Sequence, residues 1–114
     1  MTEFNHIGRI EFYADYRGRA PAYEFIGNLP PQEHAAALRA LDLLVRYGLR
    51  LGMPHARHIE GPLWELRAGP IRLLYFLHLG QAFVILHGYR KQSQKAPRRE
   101  IETAIRRMNE LLEG

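Results

Sequence analysis

Arginines and lysines gather in one stretch of this chain at spacings suited to holding a phosphate. Arg67 and Arg72 flank a short Ala68-Gly69-Pro70 connection, Arg90 and Lys91 follow Tyr89 at the end of an apolar segment, and Lys95 comes close behind. Upstream, His55, Arg57 and His58 crowd a segment rich in glycine and proline. Guanidinium groups bind phosphate oxygens in a two-pronged manner and stabilise charge that develops on phosphorus during displacement. RNA offers a reaction that such groups can promote without a metal. The 2′-hydroxyl attacks the adjacent phosphate in line, a base takes its proton, an acid protonates the leaving 5′-oxygen, and cations hold the phosphate. Crowding of Arg90, Lys91 and Lys95 would lower the pKa of a lysine or tyrosine among them, and an exposed Tyr89 could stack on a base.

Metal chemistry fits the residues poorly. Glu60 and Glu65 are the only carboxylates between Arg46 and Arg99, and His55 and His58 have no carboxylate at helical spacing. Without cysteine there is no disulfide, no thiolate zinc site and no cysteine nucleophile. No cofactor is expected. Each polar residue also has a plain structural reading. Glu65 can form a cross-strand ion pair with Arg67 or Arg72, and His78 and His87 alternate with strand residues as structural histidines. Tyr75 and Trp64 read as packing, and Arg98, Arg99, Arg106 and Arg107 as the solvated face of a helix.

The elements that must position these groups fit one domain over residues 1–114. Charge is unevenly spread along it. Arg46 to Arg99 holds ten basic and two acidic residues, a net +8, whereas the segments before and after it each carry −2. Such a stretch either suits a polyanion partner, nucleic acid ahead of a membrane surface because no basic amphipathic helix carries bulky aromatic anchors, or consists of arginines that simply solvate exposed edges. Glu3, Asn5 and the lack of a long apolar run argue against a signal peptide, no stretch approaches the ~20 apolar residues of a membrane span, and the absence of cysteine favours the cytoplasm.

Gly8 to Tyr13 alternates as a strand, and a short helical piece falls around Ala22 to Gly27. Pro31 opens a helix to Tyr47, with Ala37, Leu38, Leu41, Leu44 and Val45 as its apolar stripe and Gly48 as its cap. Gly48 to Pro62 reads as a loop. Leu63 to Arg67, Ile71 to His78 and Ala82 to Gly88 are strands of an antiparallel meander, joined by hairpin-length connections. A last helix follows Pro97, with Ile101, Ala104, Ile105, Met108, Leu111 and Leu112 on one face. Pairing the first strand with the meander predicts an α+β fold, a sheet of about four strands with its helices mainly on one face.

The run LWELRAGPIRLLYFL from Leu63 to Leu77, followed by FVILHGYRKQSQKAPRREIETAIRRMNEL from Phe83 to Leu111, resembles the RelE/ParE superfamily, and within it the phage-related HigB-like toxins of type II toxin-antitoxin systems. The Glu-Leu-Arg hairpin, the basic run and the proline-led helix occur together in the family's order. The resemblance implies a RelE-like fold with two N-terminal helices and one C-terminal helix. It also implies a ribonuclease that cuts messenger RNA, commonly on the ribosome, and a helix-turn-helix antitoxin as partner. On that basis Arg67, Arg72, Arg90 and Lys91 are the expected catalytic residues, and His55, Arg57, His58, Tyr89 and Lys95 the expected RNA-binding ones. The chain departs from the pattern in two places. Tyr89 directly precedes Arg90 where the family has a differently spaced aromatic, and no C-terminal tyrosine or histidine is evident, which leaves the general base and acid unassigned. A gyrase-directed, ParE-like toxin, or an inactive phage remnant that only binds a partner, are the alternatives.

Overall fold

The computed structural model describes residues 8–114, so Glu3 and Asn5, on which the signal-peptide reading rests, lie outside the described residues. The chain runs β1 (Arg9–Phe12), α1 (Pro21–Gly27), α2 (Pro31–Tyr47), β2 (Ala56–Glu60), β3 (Leu63–Ala68), β4 (Ile71–His78), β5 (Ala82–Arg90) and α3 (Arg98–Glu113). Prolines open α1 and α2, where a missing N–H leaves no bond unmade, and Gly48 caps α2 at φ +58°. The buried stripe of α2 is Ala37, Ala40, Leu41 and Leu44. Leu38, expected in that stripe, sits about 100° round the helix from Ala37 and is exposed. Leu112 lies in line with Ile101 and Met108 on α3 but one turn beyond Met108, in the last turn of the helix, and is exposed.

One sheet takes the order β1-β5-β4-β3-β2. β3, β4 and β5 form the expected meander, and β1 pairs with β5, in parallel. The fifth strand is β2, within the segment read as a loop. Its polar residues hide the alternation, and as an edge strand it pairs on one side only, with β3.

Helices cover both faces of the sheet, not mainly one. Ala37 and Leu44 of α2 and Ile26 of α1 pack on Leu66, Leu73, Phe83 and Ile85. Ile101, Ala104 and Met108 of α3 pack on Leu63, Leu74, Phe76, Val84 and Leu86. The reason is visible in β4, where six consecutive residues from Ile71 to Phe76 are buried, a pattern that only a strand covered on both sides sustains. On the first face α1 approaches β5 at Gly88, where an added Cβ would lie 2.5 Å from the Phe25 ring.

Candidate functional site

The β3–β4 connection turns at Gly69, whose φ of +60° suits glycine, and the hairpin sets Arg67 directly opposite Arg72. Like charges placed opposite one another on a sheet repel, so a counter-charge is needed. Glu65 supplies it from the same face of β3, two residues earlier. Although charged, it is only 2% exposed. Its Oε2 lies 3.2 Å from Arg67 Nε, 3.5 Å from Arg57 Nε and 3.9 Å from Arg72 Nε. Arg57 reaches the carboxylate because β2 places it opposite Glu65. Two rows therefore cross the face that α3 partly covers. One is Arg57, Glu65, Leu74 and His87, and the other is Arg67, Arg72 and Tyr89.

All three arginines turn Nε toward one oxygen, which leaves their terminal amino groups to other partners. Arg72 Nη1 donates to the carbonyls of Gly69 at 2.6 Å and Ile71 at 3.1 Å. Among the described residues, the terminal amino groups of Arg57 and Arg67 donate to no protein acceptor, and Arg57 Nε is buried without a hydrogen bond. Burial pulls the Arg72 pKa down and Glu65 opposes that pull, but a guanidinium stays charged regardless. Three positive charges thus surround one negative charge on a patch whose outer members remain open to solvent. This geometry can bind an anion with several oxygens, such as a phosphodiester.

The remaining expected residues divide between places. Tyr89 is 6% exposed and packed in the α3-side core, so it is no open platform for a base, and burial first, then Glu65, push its hydroxyl up to about 12. Arg90 sits opposite Ile71 on the other face of the sheet, held by both carboxylate oxygens of Glu33 from α2. Strand alternation thus separates Arg90 from Arg67 and Arg72. Lys91 follows the end of β5, and its backbone N–H donates to the Pro70 carbonyl at 2.8 Å, beside the hairpin turn. His55 is exposed just before β2, and its carbonyl accepts from the Arg67 N–H at 2.8 Å. His58 points away from Arg57, with its ring edge-on to Trp64 and Nε2 donating to the Gly61 carbonyl at 2.7 Å. Lys95 is exposed and lines a groove of about 380 Å³ between β2 and the start of α3, which Arg57 and Arg98 share. Arg98 is bound there to Glu60 at 2.7 Å, so Arg57 belongs to both the cluster and the groove.

Part of the role of Glu65 is legible in the sequence. The ion pair with Arg67 or Arg72 forms with both, and Arg57 joins it, a contact that stays hidden unless β2 is recognised as a strand. His87 is structural, as expected, and firmly held. Its Nε2 donates to Glu100 at 2.6 Å while Nδ1 accepts from Arg107 Nη1 at 3.2 Å. Burial lowers its pKa, and the Glu100 hydrogen bond opposes the shift. Arg107, expected on a solvated face, also donates to the Leu86 carbonyl at 2.9 Å and is drawn against the sheet.

The fold and site together define an α+β, RelE-like domain with an arginine cluster on one face of its sheet. Residues 24–109 match the family described as "Phage derived protein Gp49-like (DUF891)", and the chain belongs to that family. It is also similar to a chain in the crystal structure of the toxin-antitoxin complex RelBE2 from Mycobacterium tuberculosis, with a TM-score of 0.53 and 26% identity, over 77% of this chain and 100% of that one. No curated protein matches the chain.

Proposed function

We propose that this protein is the toxin of a type II toxin-antitoxin pair, a HigB-like, metal-independent endoribonuclease that cuts messenger RNA, on the ribosome, and is held in check by a helix-turn-helix antitoxin in the cytoplasm. The observation that carries the reading is the cluster of Arg57, Arg67 and Arg72 on Glu65, whose open amino groups suit the phosphate of an RNA strand. The likeness to a chain of the RelBE2 complex supports the toxin role and the antitoxin partner. In the reaction the 2′-oxygen bonds to phosphorus as the bond to the 5′-oxygen breaks, giving a cyclic phosphate and a free 5′-hydroxyl. The arginines neutralise the charge that grows on the phosphoryl oxygens. Lys95 extends the positive surface along the groove, and Lys91 and His55 flank the hairpin.

A second reading, a non-catalytic toxin or partner-binding remnant, draws on one observation. The titratable groups nearest the cluster are occupied or shifted. His87 has both ring nitrogens bonded, and Tyr89 holds its proton to about 12. Induced expression in a bacterium, together with incubation of the pure protein with ribosomes, messenger RNA and a chelator, separates the two. Growth arrest with new RNA ends is expected, and Arg67→Ala is expected to lower the cutting rate about 10²-fold, as loss of one charge-stabilising donor does. Arrest with intact RNA would favour the second reading, and a harmless wild type would remove both toxin readings.

A further inference from the structure

We infer that Glu65 is a positioning residue for the arginine cluster: its buried carboxylate holds Arg57 and Arg67 beside Arg72, so that the outer amino groups of the cluster meet one phosphodiester together. The inference rests on the ribonuclease reading of the same site and deepens it.

The observation is that a single oxygen, Oε2, faces the Nε atom of all three arginines, at 3.2 to 3.9 Å. Guanidiniums on flexible stems with no common anchor would spread apart, because each repels the others. Arg67 and Arg72 repel most directly, being cross-strand partners. The hydrogen bond from Arg67 Nε to Glu65 fixes the plane of that guanidinium and leaves its Nη groups outside, the carboxylate draws Arg57 in beside it by charge, and Arg72 is pinned through Nη1 by the Gly69 and Ile71 carbonyls. Side-chain exposure follows the same order of access, from 10% for Arg72 through 25% for Arg67 to 38% for Arg57, with Glu65 at 2% beneath them. The carboxylate cannot itself reach a phosphate without displacing the arginines that cover it.

Charge counting makes the role separable from simple neutralisation. Removing the negative charge of Glu65 raises the local charge from +2 to +3, so a purely electrostatic site would bind RNA more tightly afterwards. A positioned site would behave otherwise, with binding kept or strengthened while the rate of cutting falls, because misplacing a group by about 1 Å can cost 10²-fold. Glu65→Gln keeps the shape and removes the charge, and Glu65→Asp keeps the charge but withdraws it by one methylene.

The experiment measures three quantities on the intact chain: the cutting rate at saturating RNA, the affinity for a single-stranded RNA blocked by 2′-O-methyl groups, and the Nε–H nuclear magnetic resonance signals of Arg57, Arg67 and Arg72. For Glu65→Gln we expect a rate about 10²-fold lower, an affinity no weaker than wild type, and the Arg67 Nε–H signal moved toward the position of free arginine. Glu65→Asp should fall between Glu65→Gln and wild type. A Gln variant that cuts at the wild-type rate, or whose Arg67 Nε–H signal stays in place, would overturn the inference. So would unfolding of both variants, which would make Glu65 purely a stability residue. If the wild type cuts no RNA, the ribonuclease reading fails, while the arginine signals and the blocked-RNA affinity still decide the role of Glu65.

Discussion

At the residue scale, two titratable groups on the α3 side of the sheet, Tyr89 and His87, respond to burial in different ways. Tyr89 keeps its proton at every physiological pH, with its hydroxyl pushed up to about 12, and so acts as packing between the cluster and the helix. His87 is held neutral. An imidazole whose folded pKa lies below the ordinary value of about 6.5 makes the unfolded chain the better proton acceptor in between. Its contribution to stability is therefore complete above about pH 6.5 and is lost as the pH falls toward the folded value. The wild type should show a falling urea midpoint between pH 7.5 and 5.5, and His87→Gln a flatter one. Parallel curves for the two proteins would place the loss on another group.

At the element scale, the edge strand β2 and the close approach of α1 to β5 organise the two faces. β2 delivers Arg57 to Glu65, and the same alternation that turns Arg57 inward turns His58 toward Trp64. Gly88 lets Phe25 lie against β5, so Gly88→Ala would drive a methyl into the ring. Such overpacking costs typically about 1–3 kcal/mol, measurable as a lower urea midpoint. Arg90 ties β5 to the first turn of α2 through Glu33 on that same face. Arg90→Ala should therefore lower RNA cutting less than Arg67→Ala does. Equal losses in a rate assay would return Arg90 to the catalytic set.

At the scale of the whole molecule, helices on both sides of the sheet leave the arginine cluster at the end of one face, beside a groove that continues the positive surface to Lys95. Binding of single-stranded RNA there should be strongly salt-dependent. If about three to four phosphates are neutralised, log affinity falls against log salt with a slope of roughly −2 to −3. Lys95→Ala should reduce that slope by somewhat under one while leaving the cutting rate at saturating RNA nearly unchanged. A slope near zero would remove the nucleic-acid interface from this face.

The local pattern by itself determined most of the elements. Proline and glycine punctuation set the bounds of α2, apolar spacing set α3, and short connections set the meander, because these signals act over a few residues. It also confined the positive charge to one stretch and supplied the ordered motifs of the RelE type. What only the tertiary structure decided is which charges share a face. Arg90 lies next to Tyr89 in sequence yet across the sheet from Arg72, while Arg57, ten residues before Arg67, meets it at Glu65. Face depends on strand parity and register, and one unrecognised edge strand is enough to conceal the contact that gathers the cluster.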